Sequence, residues 1–108
     1  MSIKQIKDFF YIKLAYQQAE INLGSTGTNP SVGVVVVKNS SVISSGFTSL
    51  NGRPHAESNA LKKKLDYKNS DLFVTLEPCS HYGKTTPCTK KIISKKINRV
   101  VFSINDID

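Results

Sequence analysis

Apolar positions change their spacing several times along the chain, and each change predicts an element. From Gln5 to Asn22 the residues Ile6, Phe10, Leu14, Gln17 and Ile21 recur near every 3.6 positions, and Ile12, Ala15, Ala19 and Leu23 widen the stripe. That spacing predicts an amphipathic helix with the stripe against a core. Gly24 and Gly27 end it, within the loop that runs to Asn29-Pro30. Val32–Val37 is apolar throughout except for Gly33, which predicts a strand buried on both faces. Lys38–Ser41 reads as a turn, and Val42–Phe47 as the strand that pairs back in a hairpin. After a loop over Thr48–Pro54 come a short helix from Ala56 to Leu65 and a β-rich run, Leu72–Leu76. Pro87 then opens a helix running to Lys96, and Arg99–Ile104 is a last strand.

The order is therefore helix, strand, strand, helix, strand, helix, strand. Helical connections between the last three strands favour parallel neighbours, while the first two strands are antiparallel. The expectation is an α/β fold in three layers, with a mixed sheet and helices on both faces. In such a sheet, ligands sit outside the carboxyl ends of the parallel strands.

Composition narrows the classes. The 108 residues suffice for one domain, spanning 1–108. The longest apolar run is too short to span a bilayer, and the amphipathic start with Lys4, Lys7 and Asp8 lacks a secretory signal's apolar stretch. A cytoplasmic protein without a membrane partner is expected. Fifteen Lys and Arg against eight Asp and Glu give a net charge of +7. Only Arg53 and Arg99 are arginines, however, and base and phosphate readers lean on arginine. The charge thus speaks for solvated lysine faces rather than for nucleic acid.

Two cysteines in a chain without an export signal leave metal or redox chemistry open. Both ligand-rich segments fall where helices begin: His55-Ala56-Glu57, and the run from Glu77-Pro78-Cys79 to Cys88. If His55, Cys79 and Cys88 converge, one imidazole and two thiolates form a zinc site with a fourth position left for water, the arrangement of a catalytic metal. If His81 joined them, the site would be closed and structural. Zinc lowers the pKa of bound water to about 7. Glu57, two residues beyond His55, is the candidate general acid and base, which would have no evident purpose in a closed site.

His-x-Glu followed by Pro-Cys is the zinc deaminase signature, although here eight residues rather than two separate Cys79 from Cys88. The run Val74-Thr75-Leu76-Glu77-Pro78-Cys79-Ser80-His81-Tyr82-Gly83-Lys84-Thr85 closely resembles the deaminase domain of riboflavin biosynthesis, the diaminohydroxyphosphoribosylaminopyrimidine deaminases. Asn29-Pro30-Ser31-Val32-Gly33 and His55–Leu61 resemble the same family's first strand and its His-Ala-Glu helix. The resemblance implies a cytidine-deaminase-like fold and zinc-dependent hydrolytic removal of an exocyclic amine from a ribosylamino-pyrimidine 5′-phosphate. Zinc-bound hydroxide would be the nucleophile and Glu57 the proton shuttle. It also implies that Asn29, His81 and Lys84 contact substrate.

Departures from the family pattern qualify that picture. Thr48 stands where the family usually has a histidine after the second strand, so one substrate contact is shortened or lost. Thr86-Pro87-Cys88 replaces Pro-Pro-Cys, a mild change, since Thr86 can cap the helix that Pro87 begins. The family's deaminase domain continues past the strand equivalent to Arg99–Ile104, so a C-terminally truncated domain without a reductase domain is expected. An uncovered last strand leaves room for a homo-oligomer, or for a reductase domain or subunit supplied separately. The competing readings are a nucleoside or tRNA-base deaminase, and a truncated or degenerate zinc-binding module without turnover.

Overall fold

The computed structural model describes residues 2–25, 27, 31–50, 55–75, 80–81, 84–85 and 92–102. Helix α1 spans Ile3–Ala19. It starts two residues before the apolar pattern suggests because Ser2 and Gln5 form a capping box. The Gln5 N–H donates to Ser2 Oγ at 3.1 Å, and the Ser2 N–H donates to Gln5 Oε1 at 2.8 Å. The expected last turn to Asn22 is instead a tight turn. Ile21 and Leu23 donate to carbonyls three residues back, at 3.2 Å each.

The strands are β1 (Gly33–Lys38), β2 (Ser41–Phe47), β3 (Asp71–Val74) and β6 (Arg99–Phe102), hydrogen-bonded in the order β2-β1-β3-β6. Asn39 and Ser40, at φ 52° and 63°, make the two-residue hairpin turn between β1 and β2. β1 pairs antiparallel with both β2 and β3, and β3 pairs parallel with β6. β2, β3 and β6 therefore all run the same way, as their helical connections require. The expectation of parallel neighbours holds only for β3 and β6, because β1 lies between β2 and β3. A separate ribbon pairs β4 (Ser80–His81) with β5 (Lys84–Thr85).

Helix α2 spans Ala56–Leu61, shorter than the expected run to Leu65. The Ala60 carbonyl accepts from Ser44 Oγ at 2.6 Å and Tyr67 Oη at 2.9 Å, and two such partners end the helical ladder there. Of the expected helix from Pro87 to Lys96, residues 92–94 are helical and 86–91 lie outside the described residues. Lys96 ends that helix in the left-handed region, at φ 59°.

The sheet separates two cores. Val34, Val36, Leu72 and Val74 face Ala56, Ala60 and Leu61 of α2; Val35, Val37 and Phe73 face Ile12 and Ala15 of α1. The alternation follows the two-residue period of a strand, and β1 is buried on both faces as its sequence predicts. Each helix docks at a glycine. A Cβ at Gly33 would sit 1.8 Å from the Ala15 carbonyl oxygen of α1, and one at Gly46 would sit 2.6 Å from the Ala56 oxygen and the Ala60 nitrogen of α2.

The expected apolar stripe on α1 holds only in part. Its buried residues are Ile12, Ala15 and Ala19, whereas Ile6, Phe10 and Ile21 of the expected stripe are 54%, 56% and 54% exposed. The close approach at Gly33 admits only small side chains at that point, so Ala15 and Ala19 sit there, with Ile12 completing the inward face. Among the described residues, no helix is long and apolar enough to cross a membrane.

Candidate functional site

Helix α2 carries the first two candidate groups. His55 is its N-cap residue, half-buried, and does not use its side chain to cap the helix. Glu57 follows in the first turn and is 3% exposed. Carboxylates are seldom buried without a reason, since desolvating one is costly. Glu57 is the only buried carboxylate among the described residues.

The position of α2 is set by contacts at both of its ends. Ala56 and Ala60 are fully buried over Gly46, and Ser44 and Tyr67 hold the Ala60 carbonyl. Asn59 Nδ2 donates to the Phe47 carbonyl at 2.7 Å and to Ser49 Oγ at 2.9 Å, tying the helix to the end of β2. His55 and Glu57 are thereby held on a helix fixed at the carboxyl end of β2, one of the strand ends where the sheet predicts a ligand.

Thr48 and Thr75 lie at the ends of those two strands, 1% and 2% exposed. Thr48 Oγ1 accepts from the Val32 N–H at 2.9 Å, and Thr75 Oγ1 accepts from the Gly33 N–H at 3.2 Å. Thr48, expected near substrate, thus has its hydroxyl engaged with the backbone of Val32, immediately before β1. Asn22, Asn59 and Thr75 were not singled out by sequence reasoning, because a hydroxyl or amide gives no sign of which distant backbone group it meets.

His81 and Lys84 are placed by their backbone alone, paired opposite one another across the β4–β5 ribbon. Asn29, Cys79 and Cys88 lie outside the described residues. Among the described residues no three metal-ligating side chains come together, as expected when two of three anticipated ligands are not among them. The donor chemistry fits zinc: an imidazole at the N-cap of α2, two thiols in the sequence, and a buried carboxylate two residues beyond the imidazole.

Residues 5–104 match the family described as the cytidine and deoxycytidylate deaminase zinc-binding region. The chain belongs to that family. A diaminohydroxyphosphoribosylamino-pyrimidine deaminase of Buchnera aphidicola from Acyrthosiphon pisum is 41% identical over 91% of this chain and 67% of its own. The chloroplastic riboflavin biosynthesis protein PYRD of Arabidopsis thaliana is 40% identical over 94% of this chain. Among solved structures, Acinetobacter baumannii RibD superposes with a TM-score of 0.83 at 37% identity and 93% coverage of this chain. The chain spans only 24% of the Arabidopsis protein and 28% of the Acinetobacter chain. The cytidine-deaminase-like fold expected from the motifs is the fold found.

At the opposite end of the sheet, a cavity of about 310 Å³ is lined by Lys7, Asp8, Tyr11, Asp71, Phe73 and Arg99. Arg99 lines it and binds two acids. Nη1 and Nη2 bond both carboxylate oxygens of Asp8 at 2.9 and 2.8 Å, and Nε bonds Asp71 at 3.0 Å. The Asp8 hydrogen bonds, followed by those of Asp71, raise the guanidinium pKa above its ordinary value against the opposing effect of burial. This cavity holds a structural ion cluster, remote from His55 and Glu57.

Proposed function

We propose that this domain catalyses the zinc-dependent hydrolytic deamination of the diamino-ribosylamino-pyrimidinone 5′-phosphate of riboflavin biosynthesis. The observation that carries the reading is the buried Glu57 carboxylate two residues from His55, on a helix fixed at the carboxyl end of β2. Support comes from two relatives at about 40% identity, one named as this deaminase and the other as a riboflavin biosynthesis protein.

His55, Cys79 and Cys88 would hold the zinc, which supplies an electrophilic centre that acidifies water. Glu57 takes one proton from the attacking water to the ring nitrogen, then takes the second from the added hydroxyl to the amine, which departs as ammonia. The ring carbon gains an oxygen as its amine leaves, and no redox partner is needed. Burial serves this role, since a dry carboxylate holds a fixed geometry and exchanges protons only with what enters the site. Asn29 offers an amide to a polar edge of the pyrimidine, His81 an imidazole beside the ring, and Lys84 an ammonium to the anionic substrate. The pairing of His81 with Lys84 in the β4–β5 ribbon supports a shared location for those two contacts. The reduced thiols such a site needs suit a cytoplasmic setting.

The test is an ultraviolet assay on the diaminopyrimidine phosphate with zinc quantified in parallel. Glu57→Gln retains stoichiometric zinc and loses about 10²–10⁴-fold in rate, whereas Cys79→Ala loses the metal. Near-normal turnover by Glu57→Gln sinks the mechanism. Turnover of cytidine or of a tRNA anticodon stem in place of the diaminopyrimidine moves the substrate assignment. Stoichiometric zinc without turnover of any of these identifies a non-catalytic module.

A further inference from the structure

β1 begins between two threonines that make the same pair of bonds. On the β2 side, the Thr48 N–H donates to the Val32 carbonyl at 3.0 Å, and the Val32 N–H donates to the Thr48 hydroxyl at 2.9 Å. On the β3 side, the Thr75 N–H donates to the Gly33 carbonyl at 3.1 Å, and the Gly33 N–H donates to the Thr75 hydroxyl at 3.2 Å. An ordinary antiparallel pair exchanges two backbone bonds. Here a side-chain oxygen supplies one of them on each flank, which releases each threonine's own carbonyl from the ladder. The Thr48 carbonyl accepts instead from Asn22 Nδ2 at 3.0 Å. Ser31, one residue before this bracketed pair, donates its hydroxyl to the Ala19 carbonyl of α1.

These brackets stand where three functional segments meet the sheet. The chain runs from Thr48 to His55, from Thr75 to Cys79, and from Asn29 into Val32. We propose that Thr48 and Thr75 are positioning residues for the deamination. By closing the ladder with their hydroxyls on both flanks of β1, they fix the points from which these segments depart. They thereby hold the substrate-binding loop in register with the metal ligands. The inference rests on the deaminase reading and deepens it: Thr48 acts through Val32 rather than by touching substrate. Valine at either position keeps the shape but leaves a buried N–H without its oxygen acceptor, while serine keeps the oxygen.

The experiment uses the full chain loaded with zinc, and compares Thr48→Val and Thr75→Val with Thr48→Ser and Thr75→Ser. Amide hydrogen exchange at Val32 in the first valine variant, and at Gly33 in the second, accelerates by roughly tenfold or more. KM for the diaminopyrimidine phosphate rises about three- to tenfold while kcat per bound zinc changes less, and serine restores both readouts. A purely structural role would lower the melting temperature and the folded fraction, leaving KM of the folded molecules unchanged. Unchanged exchange in the valine variants, or unchanged KM despite faster exchange, overturns the proposal. The serine variants cover a valine variant that does not fold, since loss of protection with the oxygen retained is equally contrary. Absence of turnover by the wild-type chain defeats the deaminase reading instead, and the exchange measurement still decides whether the brackets exist.

Discussion

Gly46 shows how little room a single residue has at this site. The backbone of α2 comes so close that an added Cβ would lie 2.6 Å from the Ala56 oxygen and the Ala60 nitrogen, neither of which belongs to a side chain that could rotate away. Gly46→Ala must therefore lift the helix that carries His55 and Glu57. We expect a loss of about 1–3 kcal/mol by urea denaturation, accompanied by weaker zinc retention; unaltered stability would mean that α2 docks less closely. His55 and Glu57 could be named as candidates from the sequence because their two-residue spacing, joined to the Glu77-Pro78-Cys79 run downstream, matches a zinc deaminase signature. The engagement of Thr48 and Thr75 was not, because their partners lie 16 and 42 residues away along the chain and only the strand register brings them together.

Helix α1 was legible as a helix, but its apolar pattern is wider than the face it buries. Apolar residues occur nearly all round it, and the 3.6-residue repeat through Ile6 and Phe10 fits as well as the one through Ile12, Ala15 and Ala19. What decides between them is the bare backbone of Gly33, which a reading of the helix alone does not contain. The consequence is measurable: Ile12→Ala, at a site 5% exposed, costs about 2–4 kcal/mol, whereas Phe10→Ala, 56% exposed, costs under about 1 kcal/mol. Equal costs by thermal or urea unfolding would restore the original stripe.

The segment that follows α2 is tied back to the end of β1 by Lys38 Nζ and Asp66 Oδ2 at 3.1 Å. The Lys38 hydrogen bond, then the Lys68 backbone N–H, hold the Asp66 carboxyl below its ordinary pKa. A folded-state value below the unfolded one stabilises the fold above the unfolded pKa, and that contribution is lost as pH falls through the folded value. An NMR titration of the Asp66 carboxyl carbon should give a midpoint below that of a free aspartate, moving upward in Lys38→Met. An identical midpoint in both proteins refutes the tie.

Across the molecule, the longest side-chain connection in sequence among the described residues is also among the strongest polar ones. Arg99 on β6 grips Asp8 of α1 with a bidentate pair across 91 residues, and holds Asp71 of β3 with its remaining nitrogen. All three side chains are between 23% and 31% exposed, so the charges are screened only in part. Arg99→Met removes three charge-assisted bonds and leaves two acids facing each other, for an expected loss of about 2 kcal/mol in urea unfolding. A change within experimental error would show the cluster to be decorative. The arginine was visible in the sequence as one of only two, yet nothing in its neighbours along the chain named its partners.

The two ends of the sheet are thus chemically separate, with the ion cluster at Asp71 and the threonine bracket at Thr75. Four residues of extended chain separate them, about 13 Å. Beyond roughly 10 Å, perturbations without shared partners add rather than couple. Combining Arg99→Met with Glu57→Gln should then give the product of the two rate effects and the sum of the two stability effects. Weakening at one end can be repaired at that end, leaving the other free to change its chemistry independently.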